Sequence, residues 1–221
     1  MWLQRYRCLI CGAPFVPDHQ LEDVCPLCWH QRVQKKDPGP TCELCHQPLL
    51  TETKFCMDCQ TQSWSFTELI GLGPYNSWVG FWTAQYKMRP IPQLNRALLS
   101  LFAWDDLPPG VVVPVPSHHR RVWQRGWDPV EALAQAISKR TKWPLRHFLR
   151  RHAGEKQKLL GRGKRFQNAK SSFFWSGSET QEQLVWLVDD VVTTGATVEA
   201  CSALLRNHGA KEVKVLCLSL H

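Results

Sequence analysis

LVWLVDDVVTTGATVEA, residues 184–200, carries three kinds of chemistry in a fixed order. LVWLV, 184–188, is a continuous apolar run, as expected of a strand covered on both faces inside a parallel sheet. It ends in two carboxylates, Asp189 and Asp190. A loop of small residues follows: Thr193, Thr194, Gly195, Ala196 and Thr197. This loop opens a helix expected over 196–208 and stopped by Gly209. A helix N-terminus has unpaired N–H groups and a partial positive charge, so it suits a phosphate. The threonine hydroxyls add donors, and Gly195 allows close backbone approach. A carboxylate pair at a strand tip suits vicinal sugar hydroxyls. Together they describe a site for a ribose 5-phosphate at the carboxyl ends of strands, where open α/β sheets bind ligands. TTGAT alone would pass for a helix cap, and the Asp pair alone for a solvated turn or another kind of Mg2+ site. No GK[ST] follows, so this is not a Walker A loop, and GRGK at 161–164 lacks the preceding strand.

The same α/β rhythm extends to both sides. VKVLCLS, 213–219, reads as the last strand and completes a βαβ unit. Upstream, WVGFWTAQYKM, 78–88, reads as a helix ended by Pro90. Pro92 suits the first position of the next helix, with Leu94, Leu98, Leu101 and Phe102 on its buried face. VVVPVP, 111–116, is a short buried strand interrupted by prolines, followed by a basic loop. Asp128-Pro129-Val130-Glu131 then gives an N-cap, a proline at N1 and an acid at N3. Val130, Leu133, Ala134 and Ile137 repeat at helical spacing behind it.

Ahead of residue 63 the pattern is different. Eight of the ten cysteines form four CxxC pairs: Cys8/Cys11, Cys25/Cys28, Cys42/Cys45 and Cys56/Cys59. A CxxC turn places two thiolates on one side of a metal, and a second pair closes a tetrahedron, so four pairs predict two Zn2+ sites. A thioredoxin-type protein needs one such motif on a βαβ unit, and a disulfide framework belongs to exported chains. KKDPGP, 35–40, reads as a linker, which favours pairing in sequence order over cross-bracing. Few large apolar residues lie here, so metal is expected to supply much of the stability. The expected domains are therefore 1–62, a double zinc ribbon, and 63–221, an α/β domain. Cys201 and Cys217 read as small buried hydrophobes.

The chain has 221 residues and a formal net charge of +8. Residues 117–170 hold fifteen basic and three acidic side chains, while 1–60 hold six and seven. Such asymmetry points to an anionic partner. Arg120, Arg121, Arg125, Arg150, Arg151, Lys156, Lys158, Arg162, Lys164 and Arg165 suit a phosphate backbone. Trp123, Trp127 and Phe166 are interleaved with them and suit stacking on bases, although most of the eleven tryptophans must be packing residues. No apolar run approaches a membrane span of roughly 18 residues. The N-terminal MWLQRYRCLICG has no signal-peptide core, so a cytoplasmic protein is expected.

The block from strand to helix resembles the signature of type I phosphoribosyltransferases, which bind 5-phosphoribosyl-1-diphosphate (PRPP). With the CxxC pairs in front, the chain resembles the ComF/GntX family over nearly its full length. VPVPSHHRRVWQRGWD, 113–128, is similar to the family's proline-containing strand, basic loop and RGF segment. Gln157, Leu160, Arg165, Asn168 and Phe173 match its QxxL, RxxN and following Phe. Two positions depart from it: Trp127-Asp128-Pro129 stand where the family usually has FNQ, and Gly154 stands where a Thr precedes QxxL. The resemblance implies a type I phosphoribosyltransferase-like parallel sheet flanked by helices, preceded by a double zinc ribbon. It implies that Asp189 and Asp190 hold ribose hydroxyls and that Thr193 to Thr197 hold the 5-phosphate. By analogy, Ser117, His118, His119, Arg120 and Arg121 receive pyrophosphate, with Mg2+ accompanying PRPP, and the basic stretch 150–165 covers the site. Members are linked to natural transformation and to handling internalised single-stranded DNA at the cytoplasmic face of the inner membrane. An active phosphoribosyltransferase on an unknown base is one alternative. A zinc-ribbon adaptor for a DNA helicase or recombination loader is the other.

Overall fold

The computed structural model describes residues 6–9, 11–16, 24–28, 40–51, 53–61, 63–75, 77–88, 90, 92–152, 169, 171–177 and 180–220. Most of the linker 35–40 lies outside them. So do Gly154, Lys156, Gln157, Lys158, Leu160, Arg162, Lys164, Arg165, Phe166 and Asn168.

The first elements belong to the cysteine units. Strands β1 (Tyr6–Arg7) and β2 (Pro14–Phe15) form a small antiparallel hairpin around Cys8 and Cys11. Helices α1 (Pro26–Cys28) and α2 (Met57–Gln60) are single turns opened by the second and fourth CxxC pairs. The two units repeat one device. Gly12 N–H donates to Cys8 O at 2.8 Å, and His46 N–H donates to Cys42 O at 2.9 Å. Gly12 has φ 73° and His46 φ 53°. Each residue after a CxxC turns the chain back through the left-handed region, which Gly enters freely and His at some cost.

The α/β domain follows. Its sheet contains β3 (Glu68–Gly71), β4 (Val111–Pro114), β7 (Leu184–Val192) and β8 (Glu212–Leu220), all parallel, in the order β3-β8-β7-β4. Between β3 and β4 run α3 (Trp78–Met88) and α4 (Pro92–Leu99). Between β4 and β7 run α5 (His119–Arg125), α6 (Pro129–Thr141) and a hairpin of β5 (Leu149–Arg151) with β6 (Phe173–Trp175). Helix α7 (Ala196–Asn207) joins β7 to β8.

Alternation along the central strands builds two cores, as period-2 geometry requires. Val185, Leu187, Val213, Val215 and Cys217 face α7, the β5–β6 hairpin and the second cysteine unit. Trp186, Val188, Leu216 and Leu218 face α4 and α6. Leu94, Leu98 and Phe102 are buried in that second core as expected, with Leu101 half-buried at its edge. Cys201 and Cys217 are buried thiols, as their patterns predict.

Three differences from the expected elements matter. Strand β7 runs on past Val188 to Val192, because β8 continues beside it and pairs with Val191 and Val192. The carboxylates therefore sit within the strand. Strand β4 stops at Pro114, and Val115 N–H makes a last bond to Val188 O at 2.9 Å. Pro114 and Pro116 carry no N–H, so the ladder cannot continue and the chain leaves the sheet beside Asp189. The expected basic loop is a short helix, α5, from residue 119 onward.

Candidate functional site

The departure of β4 leaves a cavity of about 230 Å³ against the end of β7. Its floor is Asp189, Asp190 and Val191. One wall is the segment from Val115 to His118, continued by Arg121, Val122 and Arg125 of α5. Thr197 of α7, Arg151 of β5 and Lys87 of α3 close the other sides. Four obligate or strong cations thus face two carboxylates.

Adjacent strand residues point to opposite faces, and the two carboxylates divide accordingly. Asp190 lies toward α3, where Lys87 Nζ is 3.0 Å from its Oδ1. Asp189 lies toward α7 and β5, and its Oδ1 accepts from Asp190 N–H at 2.8 Å. Both are 8% exposed. Burial raises Asp189 from its ordinary 3.8 to about 8, and the charge of Asp190 adds to that. Lys87 and Arg151 act in the opposite direction and do not offset it. Burial also lowers Arg151, which lies over the Phe173 ring at 5.0 Å and feels both Arg121 and Asp189.

Local sequence explains this placement. Asp128 caps α6: its Oδ1 accepts from Val130 N–H at 3.0 Å and Glu131 N–H at 3.2 Å. The same oxygen accepts from Ser117 Oγ at 2.7 Å, so the cap also fixes the wall segment. The departure from the family's usual FNQ therefore supplies a cap at the site's edge. At the end of β7, Gly195 takes φ 74° and starts α7. Thr194 Oγ1 lies 3.5 Å from Ala196 N.

The expected residues divide. Asp189, Asp190, Ser117, His118, Arg121 and Thr197 line the cavity. Thr193, Thr194, Gly195 and Ala196 form the turn leading to Thr197. His119 and Arg120 are exposed on α5, outside the cavity wall. Arg125 and Arg151, expected on a nucleic-acid surface, reach the cavity, while Arg150 is exposed on the opposite face of β5. Lys87 escaped sequence reasoning, since a basic residue in a helix's last turn is ordinary. Trp123 is 84% exposed on α5. Trp127 instead packs edge-on against Tyr86, with ring centroids 5.1 Å apart.

The cysteines form two four-membered groups in sequence order: Cys8, Cys11, Cys25 and Cys28, then Cys42, Cys45, Cys56 and Cys59. Sulfurs within each group lie within 4.8 Å of one another, and none forms a disulfide. Cys11 and Cys25 sulfurs are 3.8 Å apart, as are those of Cys45 and Cys56. A tetrahedron with metal–sulfur bonds of about 2.3 Å has edges of about 3.8 Å, so these sets fit Zn2+. Without a cation the site opposes charge. Burial pushes Cys45 up to about 12 and also raises Cys28 and Cys59. Burial works the same way on Cys42, but the N–H groups of Cys56, Cys45 and Leu44 outweigh it and bring that thiol to about 7. A bound dication reverses this balance.

A family model for the phosphoribosyl transferase domain matches residues 162–220. Competence protein F of Haemophilus influenzae is 30% identical over 190 residues, covering 80% of this chain and 82% of that protein. The chain belongs to the ComF/GntX family. DNA utilization protein YhgH of Escherichia coli K12 is 28% identical, covering 96% of this chain and 95% of its own. Competence protein ComFC of Bacillus subtilis is 25% identical, covering 94% and 91%. This ComF/GntX member has no described helix long and apolar enough to cross a membrane.

Proposed function

We propose that this chain is a DNA-uptake accessory protein that binds single-stranded DNA at the cytoplasmic side and holds a phosphoribosyl ligand, PRPP or a relative, in its cavity. The observation that carries the reading is the cavity itself. Two buried carboxylates meet Lys87, Arg121, Arg125 and Arg151 where a Thr-Gly turn opens α7. Carboxylates accept hydrogen bonds from ribose hydroxyls, and the cations neutralise phosphate and diphosphate. Asp190, and Asp189 once an incoming cation displaces its proton, also offer the oxygen donors that Mg2+ takes when it accompanies a diphosphate. The relatives' names, competence and DNA utilization, support the DNA side. Zn2+ in the two cysteine sites would act structurally.

The DNA surface in this reading is α5. It carries Arg120 and an exposed Trp123 beside the two arginines that enter the cavity. Phosphate contacts make binding salt-dependent, and an exposed indole stacks on bases without sequence preference. The test is fluorescence anisotropy of a labelled single strand across a salt series, with and without PRPP and Mg2+. Salt-sensitive binding weakened by PRPP supports the reading, and no binding at low salt removes it. Arg120→Ala should reduce the salt slope by about 0.7 and leave PRPP affinity unchanged. Trp123→Ala should weaken the strand by about 1–3 kcal/mol.

A second role, as an adaptor for a DNA helicase or recombination loader, draws on the cysteine units. Val16, Leu27, Leu50 and Met57 expose apolar side chains there. Leu50→Ser with Met57→Ser should abolish binding to a purified uptake helicase and leave anisotropy with DNA unchanged.

A further inference from the structure

Gly195 has a neighbour from far upstream in the chain. A Cβ built on it would lie 2.7 Å from Cζ3 and 2.8 Å from Cη2 of Trp64. The indole therefore rests directly on the turn that leads from β7 into α7. Trp64 is itself held by the second cysteine unit: its Nε1–H donates to the carbonyl of Cys59 at 3.3 Å. The next residue fastens the strap to the same helix. Ser65 N–H donates to Glu199 Oε2 at 2.7 Å, and Ser65 Oγ donates to Glu199 Oε1 at 2.8 Å. Glu199 lies in the first turn of α7, one turn beyond Gly195, and is 9% exposed. Phe66 packs tilted against Trp64, with ring centroids 5.1 Å apart, and is buried with Cys42, Cys45 and Ala196 in one core. Cysteine unit, strap and turn are thus a single packed body.

We infer that Trp64 is a positioning residue for the phosphate turn, and that the second four-cysteine unit holds it there. The inference rests on the reading of Thr193–Thr197 as a phosphate site. A glycine in the left-handed region supplies no side chain to stiffen its turn. The indole substitutes for that missing packing from outside. Because Cys59 supplies both a sulfur to its cluster and a carbonyl to Trp64, order at the cluster reaches the turn through one hydrogen bond and one ring contact. Displacing a positioned anion-binding turn by a fraction of an ångström costs affinity steeply.

The test uses the full zinc-loaded chain and two probes by calorimetry, ribose 5-phosphate and pyrophosphate. Trp64→Ala should weaken ribose 5-phosphate about tenfold and change pyrophosphate by less than about twofold, since α5 and β5, and not the Gly195 turn, supply the arginines of the cavity. Trp64→Phe keeps a ring on Gly195 and should recover most of the affinity. Hydrogen exchange supplies a readout independent of any ligand. In Trp64→Ala, or in wild type stripped of metal by a chelator, the peptide across 191–201 should exchange faster while 184–188 stays protected. Stripping metal from Trp64→Ala should raise exchange at 191–201 by less than stripping it from wild type does. Equal loss of both probes, unchanged ribose 5-phosphate affinity, or unchanged exchange at 191–201 would each overturn the inference. Failure of wild type to bind ribose 5-phosphate would instead remove the phosphate-site reading, with exchange still deciding the role of Trp64.

Discussion

Asp189 is a carboxyl group held far from its ordinary behaviour. Burial, with the charge of Asp190 behind it, raises it from 3.8 to about 8. The folded chain therefore keeps a proton that the unfolded chain releases near pH 4, and stability falls as pH rises from there toward 8. Asp189→Asn is neutral throughout and keeps an oxygen for Asp190 N–H. In urea melts between pH 6 and pH 8, the variant's midpoint should exceed the wild type's by a margin that grows toward pH 8. A constant margin would refute this account of the carboxylate. At Gly195, substitution by Ala meets both φ 74° and the Trp64 ring. Gly195→Ala should cost more in the wild-type background than in Trp64→Ala, because the second background removes the steric part and leaves the backbone part. The acids and the glycine were legible in the sequence, since their spacing is itself the motif. Lys87 and Trp64 were not, because each reaches the site from about 100 residues or more upstream through tertiary contact alone.

At the scale of elements, α6 ties a helix cap to a cavity wall. Asp128 Oδ1 serves Val130, Glu131 and Ser117 at once. Asp128→Ala should cost about 1–2 kcal/mol in chemical denaturation, and Asp128→Asn should recover most of it. The helix behind that cap was readable from Asp-Pro-Val-Glu, and the central strands from their unbroken apolar runs. Other elements carry no such signal. Strands β5 and β6 have three residues each and pair across 21 intervening residues, too short for alternation to speak. Helix α5 hides in a basic sequence with little apolar periodicity, and its clearest mark is the left-handed Gly126 at its end. Those elements place Arg121, Arg125 and Arg151 in the cavity, whereas the sequence assigns all three to a nucleic-acid surface and only Arg121 to the ligand pocket as well.

Over the whole molecule, the second cysteine unit shares a core with the sheet: Cys42, Leu44 and Cys45 pack with Phe66, Val115 and Val198. Leu69 N–H also donates to Leu44 O at 2.7 Å across the expected domain boundary. The first unit meets the α/β domain at Ala97 of α4. Metal removal should therefore destabilise the α/β domain as well as the cysteine units, visible as a lowered urea midpoint in tryptophan fluorescence. The central claim is that the cavity at the end of β7 holds a phosphoribosyl ligand. Calorimetric titration of the zinc-loaded chain with PRPP and Mg2+ tests it most directly. The account predicts one saturable site, lost when Asp189 and Asp190 are both replaced by Asn. Absence of binding, or equal affinity in that double variant, would contradict it.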